Sequence, residues 1–150
     1  MTMKRILPLL LSLSACRSAT YLRQASECPE GYVPVDTAHG EFKGRAISAA
    51  GVVLAIRERP NAQEASLDFW TSVIRKELTE TQGYAVRTTK ELQGGRAILF
   101  AAPHEKTTSY YVALFVTAAR IVTVEVAGPQ EEVDKDLPRL EEYIAGLRLG

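Results

Sequence analysis

Residues that carry chemistry are scarce in this chain. Two cysteines and two histidines occur in 150 residues, and His39 and His104 stand far apart. There is no H-x-x-x-H spacing, no cysteine pair and no cluster of acids at ligand spacing, so a zinc or calcium site, which needs several converging donors, is not expected. Nor is there a C-x-x-C motif or a basic activator near Cys28, which argues against a redox thiol. Gly94-Gly95 lacks the G-x-G-x-x-G or G-K-[ST] context of nucleotide sites and reads as a tight turn. No G-x-S-x-G nucleophile elbow is present. The expectation is a protein with no catalytic residues and no cofactor, and hence not an enzyme.

An excess of one charge is missing as well. The precursor has 18 basic and 18 acidic residues. Removing a leader that holds Lys4 and Arg5 leaves 16 basic residues against 18 acidic, near −2. That balance offers no electrostatic footprint for nucleic acid. An apolar run of the roughly 20 residues a membrane-spanning helix needs is also lacking. The 46% hydrophobic and 24% charged composition is that of a globular protein able to bury one core.

What the chain does have begins at its first residue. Met1 to Arg5 is short and basic, Ile6 to Leu13 is almost wholly apolar, and small residues follow up to Cys16. This is the n-region, h-region and cleavage pattern of a secretory signal. Leu13-Ser14-Ala15-Cys16 resembles the lipobox of bacterial lipoproteins. In that family the cysteine thiol is acylated with chains such as palmitate, and the leader is cut between Ala15 and Cys16. The resemblance implies a signal peptide over 1–15 and a lipid anchor on Cys16, with more than one acyl chain giving the stable attachment that a single chain does not. Arg17, rather than Asp, follows the cysteine, which by resemblance to enterobacterial lipoproteins favours the outer membrane. The alternatives are an ordinary signal cut nearby and a buried amphipathic start.

Residues 16–41 read as anchor and tether, punctuated by Ser18, Pro29, Gly31, Pro34 and Gly40. Tyr21, Leu22, Tyr32 and Val33 leave room for part of it to pack on the domain. The second cysteine, Cys28, cannot pair with an acylated Cys16, so it is buried, paired with another chain, or free.

A single domain is expected over 42–150. Val52 to Arg59 alternates and stops at Pro60-Asn61, as a strand does. Ser66 is a helix N-cap, Leu67, Trp70, Val73 or Ile74, and Leu78 form an apolar stripe, and Gly83 stops the helix. Four strands follow at Tyr84–Leu92, Arg96–Ala102, Ser109–Thr117 and Arg120–Ala127, with hairpin-length separators that imply an antiparallel meander. Gln130 to Leu147 is helical, with Pro138 predicted to set off a short first turn from a main helix starting near Leu137. The predicted architecture is α+β, an antiparallel sheet of about five to six strands with both helices packed on one face.

That order of elements, with the Gly94-Gly95-Arg96 hairpin, the strands Tyr110–Phe115 and Ile121–Val126, and the closing Asp136-Leu137-Pro138-Arg139-Leu140-Glu141, resembles the Mog1/PsbP-like fold. Envelope lipoproteins of the DcrB and LpqN type belong to it. The resemblance covers roughly residues 45–150 and implies non-enzymatic binding or assembly. It carries over no functional residue.

Candidate contact residues are few. Tyr110 and Tyr111 face opposite sides of their strand, and one of them with Phe115 is the candidate partner-binding face; a ladder that merely stabilises the strand is the competing reading. Trp70 reads as core, and His104-Glu105-Lys106 as a solvated loop tip. Arg57-Glu58-Arg59 beside Arg45 reads as a mixed, solvated edge, because an acid is interleaved. Two functions remain open. One is a membrane-anchored factor that holds another envelope protein through the open sheet face or the loop from Pro103 to Thr108. The other is a small-molecule carrier or an enzyme with a pocket between sheet and helices.

Overall fold

The computed structural model describes residues 28–35, 42–104 and 107–147. Among them are seven strands: β1 (Tyr32–Pro34), β2 (Phe42–Ser48), β3 (Val53–Pro60), β4 (Ala85–Leu92), β5 (Gly95–Ala101), β6 (Thr108–Val116) and β7 (Arg120–Pro129). They form one sheet in the order β1-β2-β3-β7-β6-β5-β4, and every neighbouring pair is antiparallel. Helix α1 (Leu67–Lys76) connects β3 to β4, and α2 (Gln130–Gly146) closes the chain.

The expectation of about five to six strands falls short because the sheet extends into the stretch read as tether. Tyr32–Pro34 pairs with Ser48–Ala46 as an edge strand. Tyr32 is buried there, and its hydroxyl donates to Asp136 of α2 at 2.8 Å. Cys28 also packs on the core, and burial pushes its thiol up, away from thiolate character. Strand β2 lacks a clean apolar alternation and is bulged between Phe42 and Gly44, which hid it from a periodicity argument.

The two helices lie on opposite faces of the sheet, which corrects the expected two-layer arrangement. The reason is visible along β6. Tyr111, Ala113 and Phe115 join a cluster with Val133, Leu140 and Ile144 of α2, while Val112 and the flanking Tyr110 pack with Leu78 and Ile74 on the α1 side. A strand buried on both faces needs a layer on each. The α2 cluster reaches from Tyr32 on β1 to Leu99 on β5 and includes Ile56, Val124 and Val126. Leu140 and Phe100 are both 0% exposed, one in each cluster, and each such side chain contributes about 1.5–3 kcal/mol by burial.

Local signals at the helix ends match the sequence. The Ser66 Oγ accepts the Phe69 N–H at 3.1 Å, and α1 runs on as a turn of π-helix (Glu77–Thr81) before Gly83 at φ +77° ends it. Helix α2 is continuous through Pro138, contrary to the expected break. Pro138 and Asp134 four residues earlier are both exposed, so water can serve the carbonyl that loses its partner. Charged groups fix α2 to β4: Arg87 bridges to Asp134 at 3.0 Å and Lys90 to Glu141 at 2.5 Å. On the other face Arg96 of β5 holds Asp68 of α1 at 2.8 Å.

Candidate functional site

Helix α1, with its π-helical turn, covers only the β5–β6 half of its face. Beyond it the sheet surface over β7, β3 and β2 is left open, and the step between helix and sheet makes a groove of about 390 Å³. Its floor is β7, through Ile121, Thr123 and Glu125. One wall is α1, through Trp70, Val73 and Ile74. The opposite wall is β3, through Arg57 and Arg59. A second depression of about 180 Å³ continues from it past Arg57, Tyr110 and Glu125 to Arg45, Val53 and Ala55.

Strand geometry sorts the charges in a way composition hides. Arg57 and Arg59 share one face of β3, while the interleaved Glu58 points to the other, where it meets Arg120 at 3.1 Å. Arg45, opposite Ala55 across β2 and β3, lies on the same face as the other two arginines. Three arginines therefore share this face, and Glu125, set against Arg57, keeps its charge mixed. Among the described residues, the acids lining the two depressions are Glu125 and Glu77, the latter on the π-helical turn.

Glu125 sits at the centre. The Arg57 Nε stands 2.6 Å from its Oε2, an electrostatic contact without the alignment of a hydrogen bond, and the Tyr110 hydroxyl donates to its Oε1. Burial, and then the charge of Glu125, raises the Tyr110 phenol well above its ordinary range. A phenol held protonated is a poor base or nucleophile and a good fixed donor. The arrangement presents charge and hydrogen bonds rather than an activated group.

The apolar wall has its own support. Trp70 is half-buried rather than a core residue, and its indole N–H donates to the Asn61 Oδ1 at 3.1 Å. Asn61 is 2% exposed and also donates to the carbonyls of Ala65 and Thr117 at 2.9 and 2.8 Å. It ties the start of α1 to the β6–β7 hairpin and so sets the angle of the wall. Phe69 stacks edge-on against Trp70 at 5.2 Å and is 51% exposed, and Val73 is 41% exposed one turn along.

Of the residues expected at a partner face, only Tyr110 reaches this groove. Tyr111 and Phe115 lie beneath α2, 3% and 7% exposed, and the Tyr111 hydroxyl points to Glu141 at 3.5 Å. Ala15 and Cys16, like His39, fall outside the described residues. His104 is exposed. No group of three or more histidines, cysteines or acids placed to hold a metal occurs among the described residues, and no described helix is long and apolar enough to cross a membrane. The arginine row and Asn61 were missed by sequence reasoning, although the alternation of β3 carried the signal for the first.

No family model and no curated protein matches the chain at the level of sequence. Among solved structures it is similar to the cyanobacterial PsbP, CyanoP, of Synechocystis sp. PCC 6803, with TM-score 0.51 and 10% identity over 80% of this chain and 82% of that one. It is also similar to PA94 of Pseudomonas aeruginosa, a protein of unknown function, with TM-score 0.47 and 12% identity over 83% and 85% of the two chains. The fold is thus PsbP-like, an antiparallel sheet with two helices.

Proposed function

We propose that this chain is an exported lipoprotein, anchored in the bacterial envelope through lipid on Cys16, that binds another envelope protein without catalysing a reaction. The leader and the Leu13-Ser14-Ala15-Cys16 motif support the anchor, and the character of residue 17 supports the outer membrane as its place. The single observation behind the binding role is the half-covered face of the sheet. There Phe69 and Val73 stay exposed beside a groove with a cationic edge, and exposed apolar side chains grouped with oriented charge are characteristic of recognition surfaces. The groove's main charged cluster is a paired Arg57–Glu125 capped by a protonated phenol, which suits holding rather than bond-making.

The test has two parts on the full chain. Metabolic labelling with a fatty-acid analogue, native against Cys16→Ala, should give label that the variant loses. Photo-crosslinkers placed at Val73 on α1 and at Lys135 on α2 should then yield envelope adducts that depend on the anchor. A soluble, unlabelled product would sink the lipoprotein reading, and the absence of adducts from both positions would sink the binding role. A second reading, a small-molecule carrier, is favoured by the groove's 390 Å³, which lies within the range of ligand pockets. A tightly held small molecule in the intact mass spectrum of the purified chain, together with no protein adducts, selects it.

A further inference from the structure

Among the described residues, the exposed large apolar side chains fall into two groups. Phe69 and Val73 stand on α1 beside the groove, and Val33, Val35 and Ile47 stand at the β1 end of the sheet. A single exposed valine is ordinary, whereas a cluster of exposed apolar side chains marks a surface that something covers. Register builds the second group. Val33 stands opposite Ile47, Ile47 opposite Val53, and Val53 opposite Ala127. Directly opposed residues share a face, so four apolar side chains form a row across β1, β2, β3 and β7. Val53 and Ala127 line the depression that continues from the groove, which puts the row on the open face, away from α2. The Val35 N–H donates to the Arg45 carbonyl at 2.9 Å, so the pairing carries on past Pro34 and sets Val35 on the same side as Val33. At the outer end of the row Val33 is 61% exposed and Ile47 37%.

Two features limit what can cover this corner. Arg45, Arg57 and Arg59 already have partners within the chain, so charge on this face selects no ionic occupant. Strand β1 has only three residues, and its Pro34 lacks an N–H, which makes the edge a poor template for a further strand. What the corner offers is apolar surface. The chain itself says what lies near it. Cys28 packs on the core just before β1, and only the 12 residues 16–27 precede it back to the start of the mature chain expected from the leader. However they run, those residues span at most about 43 Å. With lipid on Cys16 held in a bilayer, the β1 corner is the first part of the domain met along the chain.

We infer that this corner rests in the interfacial layer of the bilayer that holds the anchor, with Val33, Val35 and Ile47 among the lipid headgroups and upper acyl chains. The inference deepens the proposed anchoring and rests on it. Three aliphatic side chains bury too little area to bring a free protein to a membrane. On an anchored chain the same contact is intramolecular, and its effective concentration makes up for the small area. Docking at the corner would fix how the domain stands on its membrane and leave the α1 wall clear of lipid.

The test uses the full, lipid-bearing chain in vesicles of neutral phosphatidylcholine. A photo-crosslinker is placed at Val33, at Ile47, or at Thr89, an exposed position on β4 at the far edge of the sheet. Intact mass then reads the adducts. Val33 and Ile47 should give at least about tenfold more phospholipid adduct than Thr89, because tethering favours one docked orientation. The yield should hold as salt is raised and when an anionic phospholipid replaces the neutral one, since screening acts on exposed charge and not on apolar contact.

With the crosslinker at Val35, Val33→Glu/Ile47→Glu should bring the lipid adduct down to the Thr89 level, and Val33→Leu/Ile47→Leu should keep it. The fatty-acid label on Cys16 and the circular dichroism should be the same in all three chains. Equal lipid adducts from Val33, Ile47 and Thr89 on a labelled chain overturn the inference and leave the anchor standing. So does a yield that requires anionic lipid. Adducts with a second copy of the chain, or with an envelope protein when the same positions are probed in cells, in place of lipid, also overturn it. A chain that carries no label on Cys16 removes the anchor and this inference together.

Discussion

The two faces of one sheet have been put to different uses. Beneath α2 the face is closed from β1 to β5 by apolar side chains, and the charged residues at its margins are paired: Arg87 with Asp134, Lys90 with Glu141, Tyr32 with Asp136. Beneath α1 the buried cluster is small, Leu78, Ile98, Phe100 and Val112, and the remaining surface carries arginines, a half-buried carboxylate and exposed apolar groups. Helix placement decides the difference. The 17 residues of α2 carry Val133, Leu140 and Ile144 across the sheet, whereas the 10 residues of α1 and the 5 of its π-helical turn lie over β5 and β6 at one side of it. One face is therefore a closed core, and the other keeps an open surface, the one on which the proposed binding role rests.

Substitutions should separate the faces, and the largest contrast is between Leu140 and Val73. Leu140→Ala beneath α2 is expected to cost about 3 kcal/mol in chemical denaturation, as a cavity opens in a fully buried site. Val73→Ala on the groove wall should stay within about 0.5 kcal/mol. Comparable losses at both positions would mean that the α1 side is as much a core as the α2 side.

Next in size is Asn61→Ala, which strips the Trp70 indole and the Ala65 and Thr117 carbonyls of their partner. A loss of about 2 kcal/mol is expected from the unpaired buried groups, together with a shift in Trp70 emission as the wall loosens. Unchanged emission would show that the indole is held by packing alone.

A third, smaller effect is pH dependence at the alkaline end. Tyr32 and Tyr111 on the α2 face and Tyr110 on the α1 face all have phenols raised above the ordinary range, by burial first and then by Asp136, Glu141 and Glu125. Below the unfolded phenol value of about 10 both states are protonated and stability is unaffected. Above it the unfolded chain releases protons that the folded chain keeps, so stability falls with rising pH until the folded phenols ionise. The slope is up to about 1.4 kcal/mol per pH unit for each tyrosine. Tyr111→Phe and Tyr110→Phe should each flatten this slope, and a profile indifferent to both substitutions would contradict the assignment. Smallest is Arg96→Ala, which frees Asp68 of α1 and Glu91 of β4. Both acids are largely exposed, so the change in melting should correspond to less than about 1 kcal/mol.

Element by element, the sequence was most legible where one principle acted alone. Ser66 and Gly83 mark the ends of the first helical run, and the β4 to β7 meander follows from turns and alternation. The disposition of the helices was misread because each helix shows a single apolar stripe, which says that it packs but not on which face. The missing information was in β5 and β6. Ala97 to Phe100 and Tyr111 to Phe115 are apolar at both parities, a sign of burial from two sides. The same oversight left open which of Tyr110 and Tyr111 meets an accessible face with Phe115; Tyr110 reaches the groove, while Tyr111 and Phe115 are buried beneath α2. Pro138 was read through its missing N–H, without the solvent exposure that makes the lost bond tolerable. The groove was beyond a linear reading, since it joins Arg45 and Arg57 to Trp70 and Glu125 across four elements.

The order of strands has a consequence for the time course of folding. Strands β4 to β7 meet through consecutive hairpins, whereas β3 and β7 join partners 60 to 74 positions apart, Pro60 with Arg120 and Val53 with Ala127. Closing so long a loop is slow relative to forming local hairpins, so this seam is the late event in assembling the sheet. The groove straddles it, with Arg57 contributed from one side and Glu125 from the other. A half-assembled chain can hold most of its meander and still lack the groove. Under the proposed binding role, recognition becomes available only once folding is complete, and no separate device is needed to keep immature copies from binding.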